Sequence, residues 1–433
     1  MDAKGAALMI RSNSSANLGT PTAQGYDLVV VGSGIVGLGA AYAAVRRGLS
    51  VCVIEQGTRP TGSSIRNFGH LCIGAQAGEA RELAEAGRET WLRLSRDAGF
   101  WLRESGTLIA ARHDDELALV SAAAAGGGIE VYGADEFAAL APVDRRVIVG
   151  GARVLGDLQA NPRTAAEKIV AYLSTLGVAF MWRTSATSVA TGVVHTTRGA
   201  VRADQVILAV NHDIDRLLPD IAEEARVQRC VLDMMRVQMP LSAQLDAPLL
   251  TGWSLLRYGR FESLAEVEPV RERLHAARPD LAAIDLNQMY TQLPDGSVIV
   301  GDTHHRDPAP LPFQSEDAQQ ALIDEALELF GVPSLRVIER WQGVYASGSG
   351  EFLDREVVPG VRAIAATTGI GMTCGFGLAQ RAVDAAFGAA FGARAATPAT
   401  SVVAAAPAAE ANGALLGATQ ELTPAQRSKE NTE

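Results

Sequence analysis

Cysteine is scarce. Cys52, Cys72, Cys230 and Cys374 are the four in 433 residues. They form neither a C-x-x-C pair nor a zinc-type spacing, so nothing points to a disulfide framework or a sequence-local metal cluster. Cys52 falls in a stretch that reads as a buried strand, which predicts reduced thiols and a cytoplasmic chain. No run of about eighteen apolar residues occurs free of glycine or charge, so no transmembrane helix is expected. Residues 1–25 carry Ser, Asn and Thr around a very short apolar patch. Without a hydrophobic region or a cleavage pattern, they read as a disordered extension and not as a signal peptide. Positive charge is also short. The formal net charge of −11 argues against nucleic acid and against anionic membrane as partners. Internal repeats are lacking. What remains, 48% apolar and 20% charged residues, is ordinary for a soluble globular chain long enough for two domains with their own cores.

The most informative stretch is Tyr26 to Glu55. Asp27 to Val31 reads as a buried parallel strand, and Gly32-Ser33-Gly34-Ile35-Val36-Gly37 follows at once as G-x-G-x-x-G. A helix rich in small residues comes next, then a second buried strand, Ser50 to Ile54, ending on Glu55. Gly32 allows the tight turn, Gly34 lets the backbone approach a pyrophosphate, and Gly37 lets helix and strand pack closely. The helix N-terminus offers free N–H groups and a positive dipole end to phosphate. Glu55 stands where a carboxylate takes both hydroxyls of an adenosine ribose, and an acid there disfavours a 2′-phosphate. The ligand implied is FAD or NAD.

Gln56 opens a polar turn, and Ser63-Ser64-Ile65-Arg66-Asn67-Phe68-Gly69-His70 suits a loop that wraps a cofactor, as it suits a plain surface loop. Helices are expected at 79–97, 114–125 and 164–176, and a short one opens at Ala134. Short strands at 179–184, 188–190, 192–197 and 200–203 lead to a final buried strand, Asp204 to Asn211, which returns the chain to the nucleotide-binding sheet. From about Arg226 to Tyr345 the pattern turns β-rich, with strands at 231–239, 253–258, 288–292 and 297–301 and a Pro294-Asp295-Gly296 hairpin turn. Val361 to Ala366 is one more strand and Thr373 to Phe391 one more helix. Beyond Ala393 the composition predicts a disordered tail. The fold class expected is α/β: a Rossmann-type dinucleotide-binding domain (26–100, 147–226 and 345–393) with a discontinuous β-rich α+β substrate domain (101–146 and 227–344), and a tail at 394–433.

GSGIVG with Glu55, SSIRNFGH, the late strand ending Ala209-Val210-Asn211, and Gly369-Ile370-Gly371-Met372-Thr373-Cys374-Gly375-Phe376-Gly377 together resemble the D-amino-acid oxidase-like flavoprotein superfamily, which includes sarcosine and glycine oxidases. The resemblance spans about residues 26 to 393 and implies FAD. The late Gly-rich helix start separates FAD from NAD, because in that family it faces the flavin, where a helix N-terminus stabilises developing negative charge. The segments SSIRNFGH, VGDTHH, ERWQGVYAS and GIGMTCGFGLA are also similar to a bacterial subgroup linked to 2-aminoethylphosphonate breakdown.

The resemblance implies oxidation of a carbon–nitrogen bond: hydride passes from the carbon beside a neutral amine to the flavin, and water hydrolyses the imine. His304 matches a family His at the end of a substrate-domain strand. Tyr290 and Tyr345 match tyrosines lining the same pocket, and Arg66 matches an Arg near the flavin. Gly343 stands where sarcosine oxidases carry the cysteine that binds flavin covalently, so FAD is expected to be non-covalent. Gly377 and Gly69 stand in place of two cations that hold substrate carboxylate. Another cation must then meet a substrate anion: His70, Arg257, His305 or Arg306. Arg257 and Tyr258 end an expected strand, which fits anion binding and equally fits a charged sheet edge. The partners implied are a small anionic amine and O2 or another electron acceptor. Two alternatives stay open, a 2-hydroxy acid or glycerol-phosphate type dehydrogenase and a non-enzymatic flavoprotein accessory subunit.

Overall fold

The computed structural model describes residues 25–390 and 402–404. Its centre is a parallel sheet with strands in the order Ala179–Met181, Val51–Ile54, Tyr26–Val31, Gly199–Leu208 and Val361–Thr368. Leu28, Val29, Val30, Cys52, Val53, Ile207 and Leu208 are fully buried, as expected of strands covered on both faces. Helices Ile35–Val45 and Gly371–Ala390 pack on this sheet and on each other, and Gly78–Ala98 packs on Gly371–Ala390. The Trp91 indole N–H donates to the Met372 carbonyl at 3.1 Å, and its ring lies 4.6 Å from that of Phe376.

Strand Arg336–Val358 joins the two halves. Its C-terminal part pairs antiparallel with Val361–Thr368, and its N-terminal part with Gln228–Gln238. Beyond that strand the second half continues through Val298–Gly301, Met289–Gln292 and Leu249–Leu250 to Thr107–Ala111, Gly150–Val154 and Ile129–Gly133. Helices Asp114–Ala124, Val267–Ala277 and Glu316–Phe330 cover it. Residues 293–297 close the expected hairpin, with the Leu293 N–H donating to the Ser297 carbonyl at 2.8 Å and Gly296 at φ +81°.

Three expectations need correction. Residues 253–258 are not a strand: Gly252–Leu255 is a helical turn. Trp253, Ser254 and Leu255 are all buried, so the alternation that marks a half-buried strand is absent, and the Ser254 hydroxyl donates to the Gln288 carbonyl. Gly150–Val154, expected in the nucleotide-binding part, pairs with Thr107–Ala111 and Ile129–Gly133 of the other half. The boundary drawn at 345 falls inside the continuous strand Arg336–Val358. Within the expected tail, Val402–Ala404 pairs antiparallel with Ala186–Ala190. The rest of the tail, 394–401 and 405–433, and the N-terminal extension up to residue 24 lie outside the described residues.

Candidate active site

A cavity of about 810 Å³ runs from Glu55 to Thr373 and on between the two halves. The end where the sequence motif expects phosphate is made by Gly32, Ser33, Gly34, Ile35 and Val36. A Cβ on Gly37 would sit 2.0 Å from the Gly32 carbonyl oxygen, so this glycine lies beneath the cavity and serves helix–strand packing, as the motif argument requires. Glu55 is held in place: its Oε2 accepts from the Ser33 N–H at 2.9 Å and hydroxyl at 2.7 Å, and its Oε1 accepts from the Gly57 N–H at 2.7 Å. Gln56 lies beside it on the cavity wall.

The loop from Ser63 to Gly69 is stitched to three elements. The Ser64 hydroxyl accepts the Ile35 N–H at 2.8 Å. The Asn67 amide donates to the Ser63 and Ser64 carbonyls, and its Oδ1 accepts the Gly69 N–H at 2.7 Å. Asn211 donates to the Ser63 hydroxyl at 2.9 Å and accepts the Ala346 N–H at 2.7 Å. Arg66 lines the cavity, and its guanidinium reaches the Gln342 carbonyl at 3.4 Å. Gly69 is off the wall: at φ +71°, with a Cβ position 1.9 Å from the Ala160 carbonyl oxygen, only glycine fits there. A Cβ on Gly343 would stand 2.9 Å from the Arg66 carbonyl oxygen, so the loop closes over the place where a covalent thiol would stand. Ala209, Gly369, Gly371, Met372 and Thr373 complete the wall. The last three open helix Gly371–Ala390, whose first N–H groups have no partner inside the helix.

At the other end the cavity meets His70, Arg257, Tyr258, His304 and Tyr345. The His70 Nε2 is 2.6 Å from the Thr107 hydroxyl, which donates to Asp157 Oδ2 at 2.6 Å. That hydroxyl must therefore accept from His70, which leaves a lone pair on a buried Nδ1 with no partner among the described residues. Cys72 lies close enough to His70 and Asp157 for the three to suggest a metal. Both Asp157 oxygens are taken, however, by the Thr107 hydroxyl and the Gly74 N–H, so hydrogen bonding alone accounts for the carboxylate. Arg257 pairs with the Asp285 carboxylate at 2.5 Å and donates to the Asp285 carbonyl at 2.8 Å. Arg306 shares the same carboxylate at 2.7 Å, away from the cavity. The His304 ring meets that of Tyr345 edge-on at 6.3 Å, and burial lowers the His304 pKa well below its usual value. Burial raises the Tyr258 and Tyr345 phenols well above theirs.

Two candidates fall elsewhere. Tyr290 is buried on the opposite face of its strand, its hydroxyl bonded to Gln288 at 3.0 Å and its ring against Phe330. Successive strand residues alternate faces, so Met289 lines the cavity in its stead. His305 is exposed and paired with Val231, for the same reason beside His304. Asp302 and Asn287 are cavity residues that the motif reading missed. Burial pushes the Asp302 carboxyl up to about 7. The available sign was two polar residues at the meeting ends of a hairpin's strands.

The cavity fits FAD. Two helix N-termini open onto it, Glu55 is fixed at the expected ribose position, and at Gly34 a Cβ would meet only the Ser64 hydroxyl, at 3.3 Å. Among solved structures, glycine oxidase from Bacillus cereus ATCC 14579 is similar at 16% identity over 84% of this chain and 95% of its own, with a TM-score of 0.68. L-proline dehydrogenase from P. horikoshii is similar at 16% identity over 83% and 93%, with a TM-score of 0.68. L-alpha-glycerophosphate oxidase from Mycoplasma pneumoniae with FAD bound is similar at 19% identity over 84% and 95%, with a TM-score of 0.66. A search of curated proteins found no match. A family model described as FAD dependent oxidoreductase matches residues 27–385. The match spans both sheet halves and every wall of the cavity, and the chain belongs to this family of FAD-dependent oxidoreductases.

Proposed function

We propose that this oxidoreductase acts on the carbon–nitrogen bond of a small amine that also carries an anionic group: an aminophosphonate, an N-methyl aminophosphonate or an amino acid. The observation that carries the reading is the juxtaposition at the inner end of the cavity, where the Arg257 cation stands beside the acceptors Asp302 and His304. An anionic amine presents a negative group to the first and N–H donors to the other two. FAD, when bound, supplies the hydride acceptor that turns the amine into an imine for hydrolysis. The protein's part is to orient the amine, exclude water and take its proton. Buried Met289, half-buried Tyr345 and the close-packed loop over Gly343 limit water at that end. We place the enzyme in the cytoplasm, where its four free, buried cysteines stay reduced, with O2 or another acceptor reoxidising the flavin.

The test is an anaerobic spectrum of the purified holoenzyme mixed in turn with 2-aminoethylphosphonate, its N-methyl form, sarcosine, glycine and 2-hydroxyglutarate. Bleaching by an amine, with release of ammonia, methylamine or formaldehyde, supports the reading. Bleaching by the hydroxy acid alone overturns it in favour of a 2-hydroxy acid or glycerol-phosphate type dehydrogenase. The His304 lone pair described below also suits that chemistry, because it would accept a hydroxyl proton. No bleaching at all favours a non-enzymatic accessory flavoprotein.

A further inference from the structure

Asp302 follows strand Val298–Gly301, and Asn287 precedes strand Met289–Gln292. The two residues exchange backbone hydrogen bonds at 2.8 and 2.7 Å, which fixes both side chains at the cavity wall. The Asn287 amide donates to Asp302 Oδ1 at 2.9 Å. Asp302 Oδ2 is left, 3.8 Å from His304 Nε2. The His304 Nδ1 lies 3.1 Å from the Asp285 carbonyl oxygen. A carbonyl only accepts, so the hydrogen of the neutral ring is on Nδ1 and Nε2 presents a lone pair. Two acceptors thus face each other across a gap, on side chains only 4% and 6% exposed, with no donor between them among the described residues. Both residues line the cavity, where an incoming donor can meet them.

We infer that Asp302 is the proton acceptor that converts the substrate's ammonium to the neutral amine, with His304 Nε2 accepting a second N–H to orient it. The assignment rests on the amine reading above. In the step, one N–H bond of the ammonium breaks, its electron pair stays on nitrogen, and an O–H bond forms at Asp302 Oδ2. The freed lone pair is what departure of hydride from the neighbouring carbon requires. His304 is the poorer base of the two, because burial and the Arg257 and Arg306 cations disfavour its protonated form. Burial moves Asp302 the other way, toward neutrality, where a general base works best. The other groups facing Asp302 are Arg257, which favours its charged form, Asp285, which opposes it, and the phenols of Tyr258 and Tyr345 with the Cys230 thiol, all protonated.

The experiment is anaerobic rapid mixing of the FAD holoenzyme, wild type and Asp302→Asn, with 2-aminoethylphosphonate, its N-methyl form, sarcosine and glycine, by pH jump across the neutral and alkaline range. With the amine that reduces the wild type, the rate should rise with pH through about 7. Asp302→Asn should slow it about 100-fold at neutral pH, with recovery above about pH 10, where the amine arrives already neutral. A variant equal to wild type at every pH overturns the assignment. So does one that stays slow at high pH, which marks a structural role. If the variant does not hold FAD, the wild-type profile decides, and a flat one overturns the assignment. A wild type that no amine reduces overturns the amine reading and this assignment together, whereas an amine-reduced wild type with an unaffected variant removes Asp302 alone.

Discussion

His304 and Asp302 illustrate how far a side chain's surroundings decide its chemistry. Replacing His304 with Ala removes the lone pair that orients the amine, and flavin reduction should slow by about 100-fold or more. FAD should remain bound, because His304 touches none of the phosphate-end residues; an anaerobic reduction rate equal to wild type would remove it from the site. Asp302 should also leave a mark on stability. Its carboxyl has an ordinary value of 3.8 and titrates near 7 in the fold, so the folded chain keeps the proton to higher pH than the unfolded one. Stability from this group therefore falls as pH rises between those values, and the full cost is present above them. His304 works in the opposite sense: its value is depressed, so its cost grows as pH falls below 6.5. Asp302→Asn should raise the melting temperature at pH 8 and leave it nearly unchanged at pH 4; an equal shift at both would refute the linkage. That Gly32 to Val36 and Glu55 share one cavity wall was legible in sequence because turn, helix and acid follow one another along a short stretch. Asp302 and Asn287 were not, because their meeting depends on hairpin register, and Tyr290 was misread because a one-residue step on a strand reverses the face.

Among the elements, the pair of helices Gly78–Ala98 and Gly371–Ala390 shows how closely backbone can pack when glycine stands at the contact. A Cβ on Gly377 would lie 2.1 Å from the Leu83 carbonyl oxygen, and one on Gly87 would lie 3.3 Å from the Gly377 N. The helices touch backbone to backbone, so no side chain has room at Gly377, which lies off the cavity wall. Gly377→Ala should lower stability by about 1–3 kcal/mol, the usual cost of overpacking, read as a lower denaturation midpoint. A neutral result would mean that the helices can separate. Gly377→Lys should likewise destabilise without improving reduction by sarcosine. The helices were readable from their 3.6-residue periodicity, while the helical turn at Gly252–Leu255 was not, since a short run buried on all sides has no period to detect.

In the whole molecule, the cavity draws its walls from both sheet halves, so a ligand filling it should stabilise them together. Holoenzyme should melt above protein stripped of FAD by an amount that grows with added FAD, about 2.7 kcal/mol at a hundred times the dissociation constant. Acid precipitation should leave the yellow colour in the supernatant, as Gly343 carries no thiol; colour in the pellet would contradict non-covalent binding. The discontinuous architecture was legible from the late return to buried strands, but its exact seams were not. Gly150–Val154 reads locally like any short strand, and only its partners, distant in sequence, assign it to the second half.

Helix Gly371–Ala390, which forms the inner wall behind Gly369, comes last among the helices of the described residues, whereas the G-x-G-x-x-G turn comes near the first. During synthesis the phosphate-binding turn therefore leaves the ribosome long before the wall that completes its cavity. The first strand must also wait for Gly199–Leu208, and that strand for Val361–Thr368, before the parallel sheet closes. A nascent chain can offer the dinucleotide turn early, but it can enclose FAD only after nearly all of the described fold has been translated. Cofactor loading is thus a late event in the life of the polypeptide.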